Sequence, residues 1–87
     1  MMLTDENNRI VMLIEGERVR CGISIAELGR RLDIDRKRLW NVLRLKRAIR
    51  ADEFVKLCAY FDLGFGRFAG KKLRDTVAMY RRRDRIV

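Results

Sequence analysis

Apolar residues fall at helical spacing in several short stretches separated by polar turns. The first stretch holds Ile10-Val11-Met12-Leu13-Ile14, then Val19 and Cys21. Thr4 ahead of it is a capping residue, Asp5 and Glu6 suit the positive end of a helix dipole, and Gly22 marks a stop. Ser24-Ile25-Ala26-Glu27 reads as a capping box for a second helix, in which Ser24 accepts from the Glu27 amide and the Glu27 carboxylate reaches back to the Ser24 amide. Leu28 and Leu32 then lie one turn apart on one face. Gly29 costs helix propensity, which makes sense where another backbone comes close. Leu32-Asp33-Ile34 is a turn, and Asp35 caps a third helix that is expected to run to Leu45. Its Leu39, Val42 and Leu43 form the buried face, while Arg36, Lys37, Trp40, Asn41 and Arg44 share the opposite, outward face. A basic connector, Lys46-Arg47-Ala48-Ile49-Arg50, leads to a fourth helix starting near Ala51-Asp52-Glu53. That helix should bury Phe54, Leu57, Cys58 and Phe61 and close at Leu63-Gly64-Phe65-Gly66. From Lys71 to about Arg83 a fifth helix is expected, with Leu73, Val77 and Tyr80 on one side.

These elements predict an all-α bundle of four core helices in residues 1–66 and a basic C-terminal extension in residues 67–87. A chain of 87 residues suits one domain. A hydrophobic fraction of 48% is ordinary for a folded protein. The longest apolar run is the five residues from Ile10 to Ile14, far short of a membrane span. The polar, acidic start MMLTDENNR does not suit a signal peptide. The expected location is therefore cytoplasmic.

Charge changes the picture more than composition does. The net charge is +9, and it is unevenly spread. Residues 28–50 carry nine basic and two acidic side chains, and residues 67–87 carry eight and two. The segments 1–27 and 51–66 are each net −2. Clustered basic charge is the footprint of a polyanion-binding surface. Histidine is absent, and the two cysteines, Cys21 and Cys58, have no metal-type spacing. Both sit in apolar helical stretches and read as buried free thiols, the alternative being a disulfide, which would be unusual in a cytosolic chain. With no histidine, no phosphate-cradling glycine loop and no activated cysteine, the composition argues against an enzyme. No catalytic residue, metal site, cofactor or small-molecule substrate is expected.

Residues 25–44 resemble the motif of the phage-repressor-like, Xre/Cro group of helix-turn-helix proteins. Leu28 stands where that motif has its apolar fourth position and Gly29 where it has its small fifth. Leu32, Ile34, Leu39 and Val42 match its later apolar positions. The flanks RVRCGIS (18–24) and KLCAYFDLG (56–64) resemble the end of that family's first helix and its fourth helix. The match spans about residues 9–66. The chain departs from the pattern at Asp33, where the family often has glycine, and at Ile25, where it often has a phosphate-clamping glutamine. Arg44-Leu45 replaces an Asn-Gly-like helix end, and Leu43 replaces a glutamate that often pairs with an arginine at the place of Arg18.

The resemblance implies a lambda-repressor-like bundle whose helix at 36–45 enters the major groove of double-stranded DNA. Arg36 and Lys37 would stand at its tip and donate to guanine O6 and N7, and Asn41 would pair with adenine N6 and N7. Trp40 is placed with them as base-contacting, on a thymine methyl or a sugar, although a tryptophan there also suits folding back over helix 4 or lying under a dimer partner. Arg38, Arg44, Lys46, Arg47 and Arg50 suit phosphate contacts. The implied function is a transcriptional regulator, a repressor, acting as a homodimer on two half-sites. The tail would complete the core or form the dimer interface, with Arg81, Arg82, Arg83 and Arg85 near flanking phosphates. The rival readings are an antitoxin-like or adaptor protein-interaction module and an RNA-binding protein.

Overall fold

A computed structural model describes residues 3–64, 75–79 and 81. Over these residues the protein is all-α. The helices are α1 (Asp5–Cys21), α2 (Ile25–Leu32), α3 (Arg36–Leu43) and α4 (Ala51–Phe61), with a further helical segment at 75–79.

The first three helices begin on the capping residues that the sequence marks. Thr4 Oγ1 accepts from the Asn7 N–H at 3.0 Å, Ser24 Oγ from the Glu27 N–H at 3.1 Å, and Asp35 Oδ2 from the Arg38 N–H at 3.0 Å. Each bond satisfies a helix N–H that has no partner within the helix. At α2 only half of the expected box forms, because the Glu27 carboxylate turns to Arg30 and Arg31. At α4 the reciprocal bond is the one present. The Arg50 N–H donates to Glu53 Oε1 at 2.8 Å.

The four helices close in one way. A residue in the left-handed region turns the chain, its N–H bonds back over three residues, and the next N–H bonds back over five. The left-handed residues are Gly22 (φ 72°), Asp33 (φ 54°), Leu45 (φ 62°) and Asp62 (φ 54°). Their N–H groups reach Val19, Arg30, Val42 and Ala59, and the following N–H groups of Ile23, Ile34, Lys46 and Leu63 reach Arg18, Gly29, Asn41 and Cys58. Leu45 explains why α3 stops at Leu43, two residues before its expected end. Asp62 likewise closes α4 ahead of Gly64.

Packing joins α2 to α3, and α1 to both α3 and α4. The core comprises Val11 and Ile14 of α1, Leu28 of α2, Ile34 of the turn, Leu39, Val42 and Leu43 of α3, and Leu57 of α4. Gly29 is where the turn folds back. A Cβ there would stand 2.7 Å from the Ile34 carbonyl oxygen, so the close approach is by the backbone of the turn.

Three burial expectations need correction. Cys21 is exposed because α1 ends at it, and Cys58 is half-buried; both are free thiols. Phe54, Cys58 and Phe61 pack on the rim of the core, half-buried, while Leu57 alone in α4 occupies its centre. Val77 is 40% exposed and not part of the core. Leu73, Tyr80, Arg82, Arg83 and Arg85 lie outside the described residues, as do Phe65 and Gly66. Among the described residues no helix is long and apolar enough to cross a membrane.

Candidate nucleic-acid interface

With its underside fixed by Leu39, Val42 and Leu43, α3 turns its other side outward. Arg36, Lys37, Trp40 and Arg44 are exposed, and Asn41 is half-buried on the same side. The helical repeat brings 36, 40 and 44 into one row and 37 and 41 into the next. An open hollow at the start of α3 is lined by Asp35, Arg36, Lys37 and Trp40. Beyond α3 the exposed Lys46, Arg47 and Arg50 continue the basic surface along the loop.

The pairing of the cations separates them into two kinds. Arg9, Arg18 and Arg20 of α1 each reach a glutamate on α1, and Arg30 and Arg31 share Glu27 on α2. Arg31 and Arg30 together hold the Glu27 carboxyl below its ordinary range. Arg18, whose expected partner position is occupied by Leu43, forks onto Glu15 and donates to the Ile23 carbonyl at 2.7 Å. By contrast Arg36, Lys37, Arg44, Lys46, Arg47 and Arg50 make no ion pair among the described residues. A cation without an internal counter-ion keeps its full field toward an incoming polyanion.

Arg38 departs from its expected role at a phosphate. Its Nε donates to Glu53 Oε2 and its Nη2 to Glu53 Oε1, both at 2.9 Å, and Nη2 also donates to the Ala48 carbonyl at 2.7 Å. The side chain points inward to α4 because a buried carboxylate waits there. Glu53 is only 4% exposed. Burial alone would raise its pKa, but the bonds from Arg38 and from the Arg50 N–H outweigh that and hold it below its ordinary value. Asn7 of α1 adds a third tie, its Oδ1 accepting from the Ile49 N–H at 2.9 Å. The loop that carries Lys46, Arg47 and Arg50 is therefore anchored to α3, α4 and α1.

Glu53 and Asn7 have no place in the sequence reading of the site. Glu53 left one signal, an acidic residue in the first turn of a helix. Asn7 left none, because its partner is distant along the chain.

Trp40 is 40% exposed and outside the core. Lys46 Nζ stands over its ring at 4.7 Å from the centroid and the Arg44 guanidinium carbon at 5.7 Å, both within cation–π range. Burial pushes the pKa of the Cys58 thiol up. Among the described residues no cluster of cysteine, aspartate or glutamate side chains is arranged to hold a metal ion.

No protein-family model, curated protein or solved structure matches this chain.

Proposed function

We propose that the protein is a sequence-specific, double-stranded-DNA-binding transcriptional regulator of the Xre/Cro type, a repressor that acts by occupying its operator. The observation that carries this reading is the coincidence of two features on one element. The outward side of α3 bears the residue types that read base edges, and the same side and its following loop hold the cations left without carboxylates. Arg36 and Lys37 donate to guanine, and Asn41 pairs with adenine. Arg44, Lys46, Arg47 and Arg50 contact phosphates to either side. Arg38 serves the reading indirectly, by fixing the loop from which those phosphate contacts come. Two copies occupy half-sites about one helical turn apart, which places a second α3 in the next major groove on the same side of the duplex.

The test is affinity as a function of salt. With four phosphate contacts from each copy, log affinity should fall against log salt with a slope of about −3.6 per bound copy. A duplex enriched from a random pool should bind about 10³-fold or more tighter than mixed-sequence DNA. A flat salt response, or stronger binding to single strands or RNA hairpins than to any duplex, would overturn the reading. Capture of a protein partner with no duplex preference would point instead to the interaction-module alternative.

A further inference from the structure

The ends of the four helices differ at one place. In the turns after α1, α2 and α4 the residue that follows the left-handed position is apolar: Ile23, Ile34 and Leu63. Such a residue ordinarily folds back onto its own helix and makes a hydrophobic contact one turn before the end. After α3 that residue is Lys46, and the residue it folds back onto is Trp40. The apolar side chain has moved to Leu45, the left-handed position itself, where it is half-buried against the core. A leucine at φ 62° is conformationally costly, and glycine or aspartate serves at the equivalent point of the other three helices. The arrangement thus places a strained residue where it sends a lysine back across an exposed tryptophan.

From this geometry we infer that Trp40 is a positioning residue for phosphate binding. Its ring gathers Lys46 and Arg44, which leave the chain on either side of Leu45, and holds them as a preformed pair for one stretch of phosphate backbone. The ring face attracts both cations and lets each keep its remaining donors toward solvent, because neither is tied to a carboxylate. A free lysine would lose rotamer freedom on binding, and one already resting on the ring loses less. Trp40 then acts through Lys46 and Arg44 on the backbone, and does not read a base. This inference rests on the duplex-binding reading above but not on sequence specificity.

The experiment is a double-mutant cycle on the full chain, with a mixed-sequence duplex and an enriched duplex as probes. Trp40→Leu should weaken both probes about equally, by about threefold to tenfold. In a chain already carrying Lys46→Ala and Arg44→Ala the same substitution should change affinity less than about twofold. Trp40→Phe should recover part of the loss, and Lys46→Ala should reduce the salt slope by about 0.9. Thermal melts of each variant separate loss of fold from loss of binding. Equal cost of Trp40→Leu in both backgrounds, or a loss confined to one base pair of the enriched duplex, overturns the positioning role while leaving duplex binding intact. No binding of the unmutated chain to either duplex overturns both.

Discussion

Between residues 5 and 32 there are five acidic and five basic side chains, and each of the five arginines reaches a carboxylate on its own helix. Between residues 36 and 50 there are seven basic side chains and no acidic one. Of those seven, only Arg38 makes an ion pair among the described residues, and its partner comes from α4. The first region cancels its charge locally, through spacings of three and four residues that put opposite charges on one helix surface. The second leaves its charge uncancelled and anchors the segment that bears it. A count of arginines would rank the two regions closer than their fields are. What distinguishes them is where the carboxylates lie.

The largest effect expected from breaking this contrast is on stability. Glu53→Gln removes the buried partner of Arg38 and should cost about 2–3 kcal/mol. In a domain of this size that lowers Tm by about 10 °C or more. Glu27→Gln, which removes the partner of two exposed arginines, should cost much less, because solvent screens that pair. Thermal melts of the two variants side by side measure the difference, and equal losses would mean that the α3–α4 tie is no stronger than a surface pair.

The turn that separates the two regions is the next most sensitive point. Gly29→Ala should cost about 1–3 kcal/mol, because the added Cβ would meet the Ile34 backbone carbonyl oxygen at 2.7 Å and the turn would have to shift. Urea denaturation of this variant against Gly16→Ala, whose added Cβ meets nothing within 4 Å, checks it.

On binding, the contrast predicts unequal costs for equal losses of charge. Arg36→Ala should weaken an enriched duplex by about tenfold or more and relax its preference at one base pair. Arg30→Ala, which removes an arginine already paired with Glu27, should change affinity by less than about twofold. Titrations of both variants against the same duplex decide between a local interface and diffuse attraction.

The smallest effect is on acid stability. The folded-state pKa of Glu53 is lowered, so the stability this group contributes is complete above its ordinary value of 4.5 and is lost as pH falls through the lowered value. Below about pH 4.5 the unmutated protein should therefore lose stability faster than Glu53→Gln does, a difference that urea midpoints across that range would show.

What the sequence made legible is chemistry acting over one turn of chain. Thr4, Ser24 and Asp35 cap helices because a short polar side chain meets its own backbone, and Gly22 and Asp33 turn left-handed for equally local reasons. The outward row of Arg36, Lys37 and Trp40 follows from helical spacing against a buried leucine and valine face. Contacts that span the chain were not legible. Arg38 sits in the same basic run as Lys37, and nothing near it announces that Glu53 will reclaim it. Leu45 reads as another apolar helix position, and only the fold reveals that burial of its side chain offsets a left-handed backbone. Cys21 continues the apolar spacing of Val19 along α1, yet it lies at the exposed end of that helix.

The central claim is that α3 reads base edges of duplex DNA, and selection from a random pool at physiological salt tests it most directly. The unmutated chain should enrich one pseudopalindromic duplex with half-sites about one turn apart, and a chain carrying Arg36→Ala and Asn41→Ala should lose that enrichment while keeping salt-dependent binding to mixed DNA. Enrichment of the same duplex to the same degree by both chains would contradict the claim.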